Sequence, residues 1–419
     1  MNGKKYGCIG KKLAHSFSKE IHARLADYDY ELIELAEDAL GDFLIKRDFA
    51  AINVTIPYKE AVIPYLDSID AGAARIGAVN TVIHRDGKLY GCNTDYYGMR
   101  ALIGTIGVAL TGKKVLILGT GGTSKTARVV ASDLGAAEIC VVSRHAADDG
   151  STITYADALA HHTDAEVILN TTPVGMYPNC GERPIDVSAF PKLCAVVDAV
   201  YNPLRTRLIL DARERGIPAE GGLYMLVMQA VAAVERFLDK EIPKSVGDNV
   251  FREIHDAKEN IVLTGMPGSG KSTVGRLLAS ESFALVDTDA EVEKRCGCTI
   301  REYIRKNGEE AFRDLESEVI RDVSREGGQI IATGGGAILR DENVRALRQN
   351  GRIYYLDAPV SRLMPTDDRP LSDTREKLAV LYTERLEKYK KTADCIVPAM
   401  DSPAAEATYV TTERKERAV

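Results

Sequence analysis

The most constraining feature of the sequence is the segment GMPGSGKS at residues 265–272. It fits the pattern GxxxxGKS in full, and it lies between the apolar run NIVLT and a segment with helical spacing. In a loop of this kind, backbone amides surround phosphate oxygens, the lysine reaches the β and γ phosphates, and the serine binds Mg²⁺. The segment therefore predicts a strand, a loop and a helix that together bind a nucleoside triphosphate with magnesium.

A second glycine-rich junction lies nearer the N-terminus, at residues 113–135. An apolar strand is predicted at 115–118, and the glycine-rich turn at 119–122 follows it before a helix. Gly119 permits a tight turn, and Gly121 lets the backbone approach a pyrophosphate, which the helix N-terminus also attracts. The junction predicts dinucleotide binding, although turns of this type also connect strands to helices without a ligand.

The strand after this junction ends in a way that distinguishes NADP(H) from NAD. Enzymes that bind NAD usually place Asp or Glu there to hold the ribose 2′-hydroxyl. Here the predicted strand at 138–142 is followed by Ser143, Arg144 and His145. A carboxylate would repel a 2′-phosphate, whereas a guanidinium pairs with it through two hydrogen bonds. Arg144 therefore favours NADP(H), with a solvated surface arginine as the alternative.

The composition is that of a globular protein and excludes several other classes. Of the 419 residues, 45% are hydrophobic and 27% are charged, which is far from the composition of disordered chains. The net charge of -7 argues against binding of nucleic acid or anionic membranes, and no apolar run reaches the about 18 residues of a membrane helix. No export signal is visible, and the 8 cysteines are dispersed, so we expect a cytoplasmic protein with free thiols.

The pattern of strands and turns divides the α/β chain into three regions. Residues 1–101 are predicted to form a substrate lobe, completed by a helix near 223–255, and residues 102–222 form the lobe that binds the dinucleotide. Residues 259–419 form the domain with the phosphate loop. The polar segment near 253–259 is predicted to be the linker, because a buried strand begins directly after it. Strands that alternate with helices predict parallel sheets.

Polar residues follow several predicted strands of the first lobe. These strands are predicted at 6–9, 30–34, 51–55 and 79–83. Hydroxyl and amide groups gathered at strand ends suit a small ligand rich in hydroxyl groups. Taken one at a time, the same residues are common in turns and helix caps. The candidates are Ser16, Ser18, Asn53, Thr55, Lys59, Asn80, Asn93 and Asp95.

In this order, and together with the dinucleotide turn, the motifs of the first part resemble shikimate dehydrogenase. They are HSFS, NVTIPYK, GAVNT, GCNTD, GTGG, NTTPVGM and GGLYMLVMQA. The resemblance implies an α/β substrate lobe beside a Rossmann lobe, and reduction of 3-dehydroshikimate to shikimate by NADPH. The substrate would be held by Ser16, Ser18, Thr55, Asn80, Asp95, Tyr201 and Gln229. The cofactor would be held by Gly119, Gly121, Gly122, Thr123, Ser143, Arg144, Thr172 and Gly222.

This reduction needs a proton donor next to the reacting carbonyl group. The carbonyl oxygen becomes an alkoxide as the hydride arrives, and its developing charge must be neutralised. The resemblance makes Lys59 the donor and Asp95 the carboxylate that orients it. His15 is a second candidate acid, and a cap of the turn at Ser16 is the alternative role for it.

Beyond the phosphate loop, the second part carries paired carboxylates and separated arginines. Asp287 and Asp289 follow a predicted strand, and their spacing directs both carboxylates to one side. One can hold a metal-bound water while the other accepts a proton from a hydroxyl group. Arg313 and Arg385 suit two-point capture of a carboxylate, although helix-surface ion pairs are a common alternative. The glycines at 334–336 permit close approach of the backbone to a ligand.

The phosphate loop, together with DTD, FR, GGG, DRPL and RLEKY, resembles shikimate kinase. The resemblance implies a P-loop kinase fold in which Asp289 binds and deprotonates the 3-hydroxyl of shikimate. It also implies that Asp287 and Ser272 support Mg²⁺, the former through water. Shikimate would be held by Asp289, Arg313, Gly335 and Arg385. ATP would be held by Gly268, Ser269, Gly270, Lys271, Ser272, Thr273 and the lid residue Arg369.

The two resemblances name consecutive reactions that share one metabolite. The sequence therefore predicts a bifunctional enzyme that makes shikimate with NADP(H) and then phosphorylates it with ATP and Mg²⁺. In one alternative, the first part acts on quinate and the kinase on another small hydroxy acid. In the other, the chain is a nucleotide-gated regulator without turnover, which the presence of Lys59, Asp95, Lys271 and Asp289 argues against. The expected ligands are small molecules, with neither nucleic acid nor membrane as a partner.

Overall fold

The computed structural model describes residues 5–14, 16–280, 283–363 and 374–417. The chain divides into two compact units, Met1–Ile254 and His255–Val419. Each unit contains sheets covered by helices, so the predicted α/β class is confirmed. In the described part of the chain, no helix combines the length and the apolar character needed to span a bilayer.

The first lobe of unit one is built on a mixed sheet with strand order β2-β1-β3-β5-β6-β4. Its elements are β1 (Tyr6–Gly10), α1 (Ser18–Leu25), β2 (Tyr30–Glu34), α2 (Leu40–Lys46), β3 (Ala51–Val54), β4 (Ser68–Ile69), α3 (Ala71–Ile76), β5 (Thr81–Arg85), β6 (Lys88–Cys92) and α4 (Asp95–Thr105). Strand β1 pairs in parallel with β2 and β3, whereas β5 runs antiparallel to β3 and β6. The side chains of Ile9, Ile52 and Val82 are buried together, which fixes the sheet against its helices.

The second lobe contains a six-stranded sheet in the order β12-β11-β10-β7-β8-β9, with all neighbours parallel. Its elements are β7 (Lys114–Leu118), α5 (Gly122–Asp133), β8 (Glu138–Ser143), β9 (Ile153–Thr154), α6 (Tyr155–His161), β10 (Val167–Asn170), β11 (Ala195–Asp198), α7 (Arg207–Glu214) and β12 (Ala219–Glu220). Val115 and Ile117 of β7 face one core cluster, while Leu116 and Leu118 face another. Burial on both faces explains the continuous apolar run of this strand.

Two further helices complete unit one, α8 (Leu223–Leu238) and α9 (Lys244–Lys258). Helix α8 has the bounds expected from its apolar sequence, and it packs back on the first lobe. Val227 lies in one cluster with Ile21 of α1, and Phe237 lies in another with Tyr30 of β2. The late segment of the chain therefore closes the lobe that the first hundred residues begin.

The division between the two units falls between Ile254 and His255, inside the predicted segment 253–259, but that segment is not an open linker, because helix α9 extends through most of it. Val246, Val250 and Ile254 recur every four residues and pack in one cluster with α8 side chains. This spacing places them on one helix face, and their burial outweighs the polar composition that suggested a linker. The boundary expected between residues 101 and 102 likewise falls inside helix α4.

Unit two contains a five-stranded parallel sheet in the order β14-β15-β13-β16-β17. Its elements are β13 (Asn260–Thr264), α10 (Lys271–Leu278), β14 (Ala284–Asp287), α11 (Thr288–Cys296), α12 (Ile300–Asn307), α13 (Glu309–Val323), β15 (Gln329–Ala332), α14 (Asp341–Asn350), β16 (Gly351–Asp357), α15 (Arg375–Thr392), β17 (Cys395–Pro398) and α16 (Pro403–Arg417). The phosphate loop follows the central strand β13, at the edge where ligands bind in parallel sheets.

Candidate active sites

A cavity of about 200 Å³ lies in unit one and is lined by both lobes. The predicted substrate and cofactor residues that line it are Ser18, Thr55, Lys59, Asn80, Asp95, Thr123, Thr172, Tyr201, Gly222 and Gln229. They come from strand ends of the first sheet, from loops of the second sheet and from helix α8. The structure therefore brings residues from widely separated parts of the sequence to a single cavity.

The centre of this cavity is an ion pair between Lys59 and Asp95. The Lys59 Nζ lies 2.5 Å from Asp95 Oδ2, and the two side chains are 13% and 8% exposed. Lys59 lies in the loop after β3, and Asp95 is the first residue of α4. A carboxylate this close stabilises the charged lysine and limits its side chain to one position. The pair can thus hold a proton at a defined point in the cavity wall.

Asn80 fixes the position of Asp95 in turn. Its Nδ2 donates to Asp95 Oδ1 over 2.9 Å, and its Oδ1 accepts from the backbone N–H of Thr94 over 2.6 Å. The Oε1 of Gln229 accepts from Asn80 Nδ2 at 3.5 Å and from Thr94 Oγ1 at 3.4 Å. All four residues are buried. This network attaches helix α8 to the start of α4 and makes a rigid polar wall.

The hydroxyl groups of Ser18 and Tyr201 line another part of the cavity, and Ser16 contacts Ser18. Ser16 Oγ donates to Ser18 Oγ over 3.1 Å, and it also accepts from the backbone N–H of Ser18. Burial raises the pKa of Tyr201 to about 12, so its phenol keeps its proton near neutral pH and can donate to a ligand. His15, the second candidate acid, lies outside the described residues.

The glycine-rich turn after β7 offers backbone to a ligand. Gly119 has φ of 108°, which favours glycine, and a Cβ there would lie 2.9 Å from Thr171 Oγ1. A Cβ on Gly121 would meet no atom within 4 Å, so the space above this residue is open to a pyrophosphate. A Cβ on Gly122 would lie 3.3 Å from Lys59 Cδ. The N-terminus of α5 therefore begins directly beside the lysine of the cavity.

The end of β8 carries the residues predicted to distinguish NADP(H). Ser143 is the last residue of the strand, and Arg144 follows it with an exposed side chain. Within the described ranges, Arg144 forms no ion pair with a carboxylate. A guanidinium in this setting fits a 2′-phosphate, because it has hydrogen-bond donors that are accessible from solvent.

Gly222 lines the cavity, and close packing also explains why this residue is a glycine. A Cβ on this residue would lie 2.1 Å from the carbonyl oxygen of Ala199, which no side chain can tolerate. Glycine therefore lets the start of α8 approach the loop after β11. Thr172 lies opposite in the cavity lining, and its Oγ1 donates to Asn170 Oδ1 over 2.7 Å.

Asp198, at the end of β11, supports this side of the cavity and was not predicted. Its Oδ1 accepts from Asn170 Nδ2 over 2.9 Å, and its Oδ2 accepts from Thr206 Oγ1 over 2.7 Å. Its carboxylate also accepts from the N–H of Val200, next to Tyr201. Complete burial raises the pKa of Asp198 to about 7. Asn170 and Asp198 each end one of two adjacent parallel strands, and this pattern in the sequence could have indicated the network.

In unit two, the phosphate loop and the DTD segment meet through a side-chain hydrogen bond. Ser272 Oγ donates to Asp287 Oδ2 over 2.6 Å, and Asp287 Oδ1 accepts from the N–H of Asp289 over 3.0 Å. Lys271 is 6% exposed, and its Nζ donates to the carbonyl oxygens of Gly265 and Met266. Hydroxyl and carboxylate oxygens side by side are the donor set that Mg²⁺ prefers.

The phosphate loop also holds a buried hydroxyl group with no partner. The Oγ of Ser269 is buried and makes no hydrogen bond to the described residues. Gly268 and Gly270 on either side have φ of 76° and 89°, so the loop turns its backbone amides inward. An unpaired hydroxyl in such a loop fits a phosphate oxygen. Thr273 lies exposed on the first turn of α10.

Three charged side chains and a glycine loop form a second candidate substrate site. Arg313 is buried, and its Nη1 lies 2.8 Å from Glu316 Oε2. A Cβ on Gly334 would lie 2.5 Å from Asp289 Oδ1 and 2.8 Å from Glu316 Oε1. A Cβ on Gly336 would lie 2.2 Å from Arg313 Nη1. The backbone of this glycine loop therefore lies directly against the charged groups, and a side chain here would have to displace them.

Two residues of α15 contact this glycine loop, and one of them also contacts the phosphate loop. Arg385 Nη1 donates to the carbonyl oxygen of Gly335 over 3.0 Å. The Tyr389 hydroxyl lies 2.5 Å from the same oxygen and 3.0 Å from that of Gly265. Glu316 and Tyr389 were not predicted, although they follow Arg313 and Arg385 at helical spacing. Arg369 lies outside the described residues.

Comparisons with known proteins assign the two parts separately. A family model described as shikimate dehydrogenase substrate binding domain matches residues 8–82, and one described as shikimate kinase matches residues 267–415. A shikimate dehydrogenase (NADP(+)) from Clostridium perfringens strain SM101 is 35% identical over 267 residues, which cover 60% of this chain and 98% of that protein.

Two crystal structures have a similar fold over the same share of the chain. Shikimate dehydrogenase 1 from Peptoclostridium difficile has a TM-score of 0.57 at 35% identity, covering 60% of this chain and 98% of its own. A shikimate 5-dehydrogenase from Thermus thermophilus, in complex with NADP(H) and shikimate, has a TM-score of 0.54 at 30% identity and covers 60% and 99%.

Proposed function

Since this chain belongs to the shikimate dehydrogenase family and carries a shikimate kinase domain after its dehydrogenase domain, we propose that it reduces 3-dehydroshikimate with NADPH and then phosphorylates shikimate with ATP. The observation that carries the proposal is the ion pair of Lys59 and Asp95, in a cavity lined by both the substrate lobe and the nucleotide lobe. The two reactions would follow each other in one chain and share shikimate.

In the first reaction, Lys59 donates a proton to the carbonyl oxygen of the substrate. NADPH, when bound, supplies the hydride that the carbonyl carbon accepts. Asp95 holds the ammonium in place, and Asn80 holds Asp95, so the donor stays at one point of the cavity wall. Ser18, Thr55, Tyr201 and Gln229 line the cavity and offer hydrogen bonds to hydroxyl and carboxylate groups of the substrate.

For the cofactor, the turn at 119–122 offers open backbone to a pyrophosphate, and Arg144 offers an exposed guanidinium to a 2′-phosphate. Thr172 and Gly222 line the side of the cavity toward the nucleotide lobe. We therefore assign NADP(H) to unit one. These contacts support a preference over NAD, because a 2′-hydroxyl gains little from a cation.

In the second reaction, Asp289 accepts the proton of the shikimate 3-hydroxyl as that oxygen attacks the phosphoryl group. ATP with Mg²⁺, when bound, supplies this group and offsets the charge on its oxygens. Arg313 and Arg385 bind the carboxylate and hydroxyl groups of shikimate beside the glycine loop at 334–336. Lys271 and Ser269 would contact the phosphates, while Ser272 and Asp287 would hold the metal, the latter through water.

Separate assays of the purified chain test the two activities. We expect NADPH oxidation with 3-dehydroshikimate and ADP formation with shikimate and Mg²⁺. Quinate in the first assay and gluconate in the second probe the alternative substrates, and we expect a lower kcat/KM for each. A higher kcat/KM with quinate or gluconate would contradict the proposed substrate, and activity in neither assay would contradict the proposed function.

A further inference from the structure

Outside the two active sites, three side chains with different donor atoms meet beside strand β8. Glu138 and Cys140 alternate along the strand, so both side chains project from the same face. His162, directly after α6, lies against them. The Cys140 Sγ is 3.2 Å from Glu138 Oε1 and 3.5 Å from His162 Nδ1. The distance between Glu138 Oε1 and His162 Nδ1 is 3.7 Å.

These separations are close to those of ligands around one tetrahedral zinc ion. Zinc binds sulfur at about 2.3 Å and nitrogen or oxygen at about 2.0–2.1 Å, which places pairs of ligand atoms about 3.3–3.6 Å apart. The sulfur–nitrogen distance fits this geometry, whereas the sulfur–oxygen distance is about 0.3 Å shorter and the nitrogen–oxygen distance about 0.3–0.4 Å longer than tetrahedral ligation requires, so small side-chain shifts would accompany binding. We propose that Glu138, Cys140 and His162 bind one zinc ion, with the fourth position open to water.

The donor set also selects the kind of ion. Thiolate and imidazole favour zinc and similar borderline or soft cations, whereas Mg²⁺ and Ca²⁺ prefer sites made of oxygen alone. The side chains of Glu138 and His162 are 51% and 22% exposed, so an ion can enter from solvent. Binding of an ion requires the Cys140 thiol to release its proton.

Lys114 is the competing cation at this site. Its Nζ lies 3.1 Å from Glu138 Oε1, the atom proposed as a ligand, and 2.9 Å from Asp164 Oδ1. When an ion takes the Glu138 oxygen, Lys114 keeps Asp164 as a partner. Removal of the ammonium should therefore strengthen zinc binding, since the ion would no longer compete with a charge for the carboxylate.

The site is separate from the proposed nucleotide contacts. Cys140 and Ser143 are three positions apart on β8, which corresponds to about 10 Å along a strand. The ion would connect β8 to the end of α6. The zinc inference does not rest on the proposed dehydrogenase reaction.

Cobalt(II) titration of the untagged full chain tests the inference, because cobalt replaces zinc and absorbs light. We expect one ion per chain, with the bands of tetrahedral cobalt and a thiolate-to-cobalt charge-transfer band. Cys140→Ser should abolish the charge-transfer band. Zinc affinity can be measured by competition with a chromophoric chelator. Loss of a residue that only supports a metal ligand weakens binding by about 10-fold, so Cys140→Ser and His162→Ala, which each remove a ligand, should weaken it by at least that much.

Matched variants decide whether the site is the one proposed. His161→Ala and Cys194→Ser change neighbouring or similar residues and should leave zinc binding unchanged. Lys114→Met should raise the affinity several-fold, which gives a second readout if Cys140→Ser fails to fold. Cys296 and Cys298 are a second pair of close thiols, with their sulfur atoms 3.7 Å apart. The inference would be contradicted if the cobalt bands survived Cys140→Ser, or if they were lost in Cys296→Ser instead. Unchanged affinity in Lys114→Met would contradict it as well.

Discussion

The two lysines at the centres of the active sites differ in where their partners lie. Lys59 pairs with a carboxylate 36 positions further along the chain, on another element of the fold. Lys271 donates to carbonyl oxygens 6 and 5 positions earlier, within its own loop. The first site therefore exists only when β3, α4 and α8 have packed, whereas the phosphate loop is held largely by its own backbone.

This difference teaches what each site depends on. Asp95, Asn80 and Gln229 come from three separate segments of the chain, so the position of Lys59, the proposed proton donor, depends on the packing of the whole lobe. In unit two, the long-range contacts are found at the proposed substrate site, where Asp289, Glu316 and Gly334 lie close together. Changes at the two lysines should thus separate the activities, and changes in the supporting residues should have smaller effects.

The largest expected effect is that of Lys59→Ala on the reductase. Loss of a positioned general acid should lower kcat for 3-dehydroshikimate reduction by about 10²–10⁴-fold, while ATP-dependent phosphorylation of shikimate stays unchanged. Lys59→Arg is the matched control, because it keeps the positive charge but does not release its proton. We expect a similar loss in this variant. A normal rate with arginine would show that Lys59 contributes only charge.

Lys271→Ala should have the reverse effect. Loss of a cation from the phosphate loop should lower kcat for phosphorylation by about 10²–10³-fold, and NADPH-dependent reduction should be unaffected. Steady-state rates of both reactions in the same preparation measure this separation. If the folded variant lost both activities, the two sites would not be independent.

Arg144→Ala tests the proposed cofactor contact in the nucleotide lobe of unit one. A hydrogen bond to a charged group contributes about 1.5–3 kcal/mol, so KM for NADPH should rise by about 10–100-fold. The KM for NADH should stay the same, because that cofactor has no 2′-phosphate. Arg215→Ala, at an exposed position after α7, serves as the control. Equal loss of affinity for both cofactors would contradict the role assigned to Arg144.

The smallest predicted effect is that of Tyr389→Phe. This change removes one hydroxyl that bridges the phosphate loop and the glycine loop, and a neutral hydrogen bond contributes about 0.5–1.5 kcal/mol. We expect kcat/KM to fall about 2–10-fold for ATP and for shikimate together. A change for only one substrate would mean that the tyrosine does not couple the two loops.

Local patterns allowed much of the fold to be predicted from the sequence. The apolar runs of β7 and β13 and the helix at α8 were recognised, because neighbouring residues determine strand burial and helix spacing. The strand predicted at 79–83 begins two residues later, since the N–H of Val79 donates to the carbonyl oxygen of Lys59 instead. Helix α9 was not recognised, because its apolar face is narrow and the rest is polar.

Individual candidate residues of the sites could be proposed from the sequence, but the hydrogen-bond networks that join them could not. Lys59, Asp95 and Lys271 lie in short motifs that carry chemistry. Asp198 and Tyr389 lie on elements that meet other parts of the chain only in the fold, so no local pattern indicated their partners. The roles of the predicted residues in binding and catalysis stay predictions until the variants are measured.

The central claim is that one chain contains both active sites for consecutive reactions. The most direct test supplies purified protein with 3-dehydroshikimate, NADPH, ATP and Mg²⁺, and measures shikimate 3-phosphate, NADPH oxidation and ADP formation together. We predict shikimate 3-phosphate, with one NADPH oxidised and one ADP formed for each molecule of product. Absence of this product, or its formation without NADPH oxidation, would contradict the account.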